Sequence, residues 1–414
     1  MRRLDRPLLA LVALGGLATV QQWIGDRRPD PAAEPAGADF AVTSEADSGP
    51  GSLREAIFAA DRAGERARIR ILAPVVHLDN ALPPLANPRG VVIEAGPAGA
   101  TIDGGRIGDA AVLDVDAPRS VVAGIALTGA GRGILVRAPG VEIRDVSVSG
   151  ASFGIVAAHG AEGLLVERCR LTGNGIGVIV DAGALPVRIE ASEFRDHRDA
   201  GIWSVGSTPG AAGPALTVRG NGFEGDRIGA VVGDLPAEIA DNRFAASAET
   251  ALHLLGGGVR VRDNHLASAG RFGILAERTA ATTVIERNEV RGSAAAGILT
   301  RTARGTTVRD NRLYGNGYGI VDVLGDRELP ALFDGNLLMS HRLDGLVVIG
   351  GAPLVRRNRV LRSRGAALRS LDLIDLDGAR TPAAALLDGN VFEGNGSDGV
   401  ERGVYRLEPA EEGS

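Results

Sequence analysis

An asparagine returns through the second half of this 414-residue chain at positions 221, 242, 264, 288, 311, 336, 358 and 390, mostly 21 to 25 residues apart. Each sits in the same short phrase, apolar-x-x-Asn-x-apolar, as in Val261-Arg-Asp-Asn264-His-Leu266 and Val308-Arg-Asp-Asn311-Arg-Leu313. Upstream the column is held by Ile125, Val146, Cys169 and Ser192. A Gly-rich polar turn follows, and then a Gly-Ile pair, at Gly133-Ile134, Gly201-Ile202, Gly273-Ile274 and Gly319-Ile320 among others. A period near 23 with two or three short strands per repeat describes one turn of a solenoid. A single turn cannot bury its apolar face, so turns stack, and each strand pairs with its copy about 4.8 Å away. The recurrent Asn places one side-chain amide over the next and satisfies buried donors and acceptors as a ladder.

Composition agrees with many tight turns: Gly contributes 59 residues and aromatic side chains only 3%. With 44% apolar and 23% charged residues, the chain is neither a disordered polyanion nor a multi-span membrane protein. All 45 basic residues are Arg, which excludes Schiff-base and phosphate-loop lysine chemistry. A net charge of −6 without a basic run argues against nucleic acid as a partner. Cys169 has no second cysteine to pair with, and its place in the Asn column reads as a buried, inert thiol.

The N-terminus carries Arg2, Arg3 and Arg6 ahead of the apolar run Leu8 to Val20, the pattern of a signal peptide or signal anchor. The expected organisation is therefore a signal or anchor at 1–25 and a Pro/Ala/Asp-rich linker at 26–39. An N-terminal cap with irregular first coils follows at 40–118, then regular repeats at 119–408 and a tail at 409–414. Within the cap, Ser52-Leu-Arg-Glu55 is a capping box that opens an amphipathic helix to about Ala63, suited to cover the open end of a solenoid. Two coils are longer than the rest, and their extra residues, Gly206 to Gly213 and Leu371 to Gly378, are read as loops where function gathers.

The repeats together resemble the right-handed parallel β-helix, or pectin-lyase-like, superfamily, over residues 40 to about 408. Val42 to Ile57 looks like the "CSLREA" segment that precedes many such helices on bacterial surface proteins, with Gly51 where that motif usually has Cys. The resemblance implies an all-β, right-handed parallel β-helix solenoid of about 12 or more coils with an N-terminal capping helix. The fold hosts lyases, hydrolases, epimerases, adhesins and spacers, so it does not choose an activity. The polygalacturonase motif set is absent. The Asp-Pro-His-Asp of mannuronan epimerases has its nearest counterpart in Asp196-His197-Arg198-Asp199, which lacks the Pro and differs in spacing.

Asp196, His197, Arg198 and Asp199 form the densest cluster of reactive side chains and are the candidate catalytic set. An Arg there neutralises a uronate carboxylate while His or Asp removes the C5 proton, the logic of β-elimination and epimerisation. The competing reading is a solvated turn. Trp203 and His253, which alternate outward from Ile202 and Leu252, are candidate substrate-binding residues, Trp203 as a stacking platform. His341, Arg342 and Asp344 repeat the cluster in part and are a candidate second subsite. Asp372, Asp375 and Asp377 alternate as Ca²⁺ ligands do, although such loops more often bind nothing, and no cofactor and no metal site are expected. Apart from Trp203 and His253, the outward residues of the Gly-Ile strand are aliphatic, from Leu135 to Val347, and suggest a protein contact surface or self-cover.

The expectation is an exported, periplasmic or extracellular β-helix that binds or processes an acidic polysaccharide or another envelope component, lyase- or epimerase-like if catalytic. It touches the membrane only through the N-terminal segment. The alternative is a non-catalytic structural or adhesive cell-surface β-helix; a periplasmic accessory role in metal-cofactor assembly is disfavoured by the sparse His and Cys.

Overall fold

The computed structural model describes residues 37–206, 214–280 and 283–407. Three long sheets of 15, 14 and 14 strands run the length of the molecule, and each successive turn adds one strand to each. One turn supplies Val187–Glu190, Glu193–Arg195 and Ala200–Val205; the next supplies Leu216–Arg219, Gly222–Glu224 and Ile228–Val232. Pairing is parallel, residue over residue, as in the series Ile189, Val218, Ile239 and Val261. About 13 turns result, with very little helix.

The core is a bundle of such columns. Every second residue of a strand points inward, so a column of like side chains forms from turn to turn. In the second sheet Phe194, Phe223 and Phe244 are fully buried and stack with ring centroids 4.7 and 4.4 Å apart and planes within 10°. The separation matches strand spacing, so the rings are held in register by the backbone.

Between the first and second sheets the chain turns sharply at one residue with positive φ, such as Asp263 at 57° or Asp310 at 55°. Asp tolerates this region better than most residues. The next residue is the ladder Asn. Asn288 shows what it does: its Oδ1 accepts from the backbone N–H of Asn264 at 3.0 Å and from the Asn264 amide at 2.9 Å. Its Nδ2 donates to the carbonyls of Val261 and Glu286 and to Asn311 Oδ1. The pattern continues through Asn390, and Ser192 and Cys169 extend it upstream, with the Ser192 hydroxyl accepting from the Cys169 N–H. Cys169 is buried and burial pushes its thiol up to about 12, so it stays protonated at physiological pH.

The Gly of each Gly-Ile pair has a packing reason. A Cβ on Gly201 would stand 2.7 Å from the Gly229 carbonyl oxygen and 2.8 Å from the Phe223 ring. Only hydrogen fits where the third sheet closes against the second.

At the front, a helix spans Leu53–Arg62, with the Ser52 hydroxyl accepting from the Glu55 N–H, and it buries Leu53, Ala56, Ile57 and Ala60. Two expectations change. The coils of 40–118 are in register in the first sheet, where Ala67–Ile71 and Val91–Ala95 pair on toward Val121–Ala123, while the first turn reaches the third sheet only at the Leu85–Val115 bridge. The residues from Leu371 also do not form a simple loop. They lengthen the strand Ala366–Ile374, which turns back on Arg380–Thr381 in the one antiparallel pairing of the third sheet among the described residues. Of the other insertion, residues 207–213 lie outside the described residues, as do residues 1–36, where a signal or anchor and most of a linker are expected. No helix among the described residues is long and apolar enough to cross a membrane.

Candidate functional site

The turn Asp196–Asp199 lies between the second and third sheets, and it does not gather its four side chains. His197 is turned into the interior, with a fully buried side chain. Its Nδ1 lies 2.6 Å from Asp226 Oδ1 and its Nε2 lies 3.4 Å from the Asn174 amide. Asp196, Arg198 and Asp199 remain on the surface, Asp199 within 3.7 Å of Arg227. The candidate catalytic set is thus divided between inside and outside, and His197 cannot touch a substrate.

His197 belongs to a second ladder that sequence reasoning missed. Its members follow those of the first by five positions: Ser192 and His197, Asn221 and Asp226, Asn311 and Asn316, Asn336 and His341, Asn390 and Asn395. The same backbone contacts recur, with the N–H of Ala151, His197, Ser293 and Ser363 donating to the side-chain oxygen of Asn174, Asp226, Asn316 and Asn395.

His341, Arg342 and Asp344 are likewise committed to the framework. His341 is fully buried in the second ladder, and burial lowers its pKa to about 4, so the ring is neutral. Arg342 donates to the carbonyls of Gly315, Ser293 and Ala294. Asp344 accepts from Arg369 at 2.7 and 2.9 Å and from the Ala366 N–H. These residues close the turn and offer no open subsite. Asp372 pairs with Arg380 and accepts from the Ala383 N–H, while Asp375 accepts from the N–H groups of Asp377 and Ala379. No group of three His, Cys, Asp or Glu side chains among the described residues is placed to hold a metal ion.

The outer face of the third sheet is different. Register stacks Ile179, Trp203, Val231, His253, Leu275 and Leu299 in one outward column. Trp203 and His253 are two strands apart, roughly 10 Å at the usual spacing. Beside His253, the neighbouring column brings Leu255, Glu277 and Arg301 into line. His253 Nε2 lies 2.7 Å from Glu277 Oε2, and Arg301 pairs with the same carboxylate. His253 and Glu277 keep 18% and 10% of their side-chain surface open. At the opposite, N-terminal ends of these strands, the turn residues Asp199, Arg227, Glu249 and Arg271 form a chain of ion pairs. Trp203 and His253 therefore do share a face, whereas Glu277 and Arg301 were not singled out from sequence. Their signal was the register of the turns: Glu277 stands one turn after Leu255, two residues beyond His253 on the same face, and Arg301 one turn after Glu277.

Further on, the face turns apolar, with Phe272, Leu299, Tyr318, Val321 and Val347 packed on one another. Shallow depressions of about 220 and 270 Å³ lie on a different face, over the second sheet around Arg243. They are gaps left by Gly222, Ala245 and Ala267 between charged side chains, several of them already paired, as Arg195 is with Glu224.

Residues 210–360 match the family model described as the right handed beta helix region. Together with three parallel sheets wound turn on turn, that decides the fold. The chain is a right-handed parallel β-helix protein. This β-helix is similar in structure to the A-module of the Azotobacter vinelandii mannuronan C-5 epimerase AlgE6, with a TM-score of 0.57, 13% identity, and coverage of 90% of this chain and 100% of that one. It is similar to the catalytic unit of a GH87 α-1,3-glucanase from Streptomyces thermodiastaticus, with a TM-score of 0.55, 14% identity, and coverage of 89% and 70%. A tailspike protein of E. coli bacteriophage HK620 gives a TM-score of 0.54 at 12% identity over 85% and 78%. No curated protein matches the sequence.

Proposed function

We propose that this β-helix is exported, binds an acidic polysaccharide along the outer face of its third sheet, and takes a proton from a uronate ring there. The observation that carries the reading is the row Trp203, His253, Glu277 and Arg301 on one face. Trp203 offers a flat apolar surface to a sugar ring. Arg301 offers a guanidinium to the uronate carboxylate, which makes the adjacent C5 proton more acidic. The His253 imidazole, oriented by Glu277, is the base that accepts that proton. Return of a proton to the opposite face inverts C5; loss of the C4 oxygen substituent instead breaks the glycosidic bond and leaves a C4–C5 double bond. The similar folds of a mannuronan epimerase and a glucanase fit a polysaccharide partner. Export rests on Arg2, Arg3 and Arg6 before the apolar run from Leu8.

The aliphatic residues Leu275, Leu299, Val321 and Val347 on the same face favour a second reading, a non-catalytic envelope element that meets another protein.

Titration calorimetry against polymannuronate, polyguluronate and polygalacturonate separates the two. At least one polymer is expected to bind, and Trp203→Ala is expected to weaken it by about 10-fold or more, ~1.4 kcal/mol. Absence of binding to every uronate polymer, or equal binding by Trp203→Ala, would overturn the proposal.

A further inference from the structure

The two ends of the rod are finished differently. At the front, the helix Leu53–Arg62 lies over the first turn and buries its apolar face there. At the far end, the last turn is made by Leu386–Asp388, Val391–Glu393 and Ser397–Arg406, and nothing described covers it. Leu387 and Val400 stand in the inward columns of Val355 and Leu368, which are fully buried. Leu387 and Val400 are 42% and 38% exposed. The outer edges of all three strands are also without strand partners among the described residues.

We propose that this far end is an interface between two copies of the chain, joined end to end about a two-fold axis. Three observations select this occupant. An apolar interior that ends open beside unpaired strand edges recruits another edge. A head-to-tail arrangement lacks a receiving surface, because the front end is already closed by its helix. The last strand is also divided by charge, with Asp398 and Glu401 in its first half and Arg402 and Arg406 in its second. Antiparallel pairing of that strand with its own copy sets the acidic half of each against the basic half of the other. A parallel pairing of the two copies would set like against like. Neither Arg402 nor Arg406 has an ion-pair partner among the described residues, whereas Glu401 also pairs with Arg369 at 2.7 Å and Asp398 also accepts from the N–H groups of Gly394 and Asn395, so the arginines of one copy would share these carboxylates of the other. Leu387, Phe392 and Val400 of the two copies then close one continuous core across the axis.

The test is the mass of the purified full-length protein by light scattering across a concentration series. Twice the 42.5 kDa chain mass is expected. The double variant Arg402→Glu/Arg406→Glu, and separately Leu387→Glu, are each expected to raise the dimer dissociation constant by about 10-fold or more. Circular dichroism melting of the same variants monitors the fold, and it should show the same cooperative unfolding as the parent monomer. Monomer mass for the parent at every concentration overturns the proposal. So does a dimer that neither variant weakens, or an assembly larger than two. None of these outcomes bears on the polysaccharide face, which lies on the side of the rod.

Discussion

Replacing His197 with alanine is expected to lower the stability of the β-helix by about 3–5 kcal/mol while leaving the affinity for polysaccharide unchanged. The reason is its position inside the second ladder. The imidazole Nδ1 and Asp226 Oδ1 are both fully buried and 2.6 Å apart, and Asp226 Oδ2 has no hydrogen-bond partner. Removing the ring leaves a buried carboxylate held only by the His197 backbone N–H at 3.0 Å, beside a void against the Phe194 ring. Asparagine is the natural substitute, since Asn174 and Asn316 fill the same column and donate to carbonyls one turn back. His197→Asn should therefore recover much of the loss. Urea midpoints for the two variants, together with calorimetric titration of the polymer, read both quantities. A variant that keeps full stability but loses binding would place His197 at the site after all.

Asp322 should behave in the opposite sense. It lies fully buried in an inward column of the third sheet, where the Thr300 hydroxyl donates to its Oδ1 at 2.7 Å and its Oδ2 has no partner. Burial raises its pKa to about 6 from 3.8, against the smaller lowering effect of the Thr300 hydrogen bond. The folded state thus holds the proton more tightly than the unfolded one. Stability from this group is complete below the unfolded value, falls as pH rises from about 3.8 to about 6, and stays low above that. A shift of this size corresponds to about 3 kcal/mol lost at neutral pH. Asp322→Asn, neutral at every pH, is expected to raise stability by about that amount near pH 7.5 and by little near pH 3.5. Paired urea denaturation curves at the two pH values test this; an equal effect at both would contradict it.

Much of the architecture was legible because the first ladder uses one residue type. Asparagine offers both an acceptor for a backbone N–H and a donor for a carbonyl one turn back, and from 221 to 390 it fills every rung, so it exposes the period. The second ladder is filled unevenly: Asn174, Asp226, Asn316 and Asn395 accept a backbone N–H, whereas the side chains of Ser247, Ser293, Ser363 and His341 sit in the same column without a hydrogen-bond partner. Its variety hid it, and a histidine between two aspartates resembled chemistry. The constant offset of five residues from the first ladder would have shown that Ser192 to His197 and Asn336 to His341 are the same step. Trp203 and His253 were legible as outward because they alternate with buried Ile202 and Leu252. Glu277 and Arg301 were not, since their meeting with His253 depends on register across turns rather than on nearness in the chain.

The account stands most directly on whether the third sheet moves a proton on a uronate ring. Incubating the protein with the polymer it binds in deuterated water, and following the C5 proton by NMR, measures this for either epimerisation or elimination. The account predicts loss of the C5 signal with the parent protein and with His197→Asn, and its retention with His253→Gln. Retention with the parent protein, or loss that persists in His253→Gln, would contradict it.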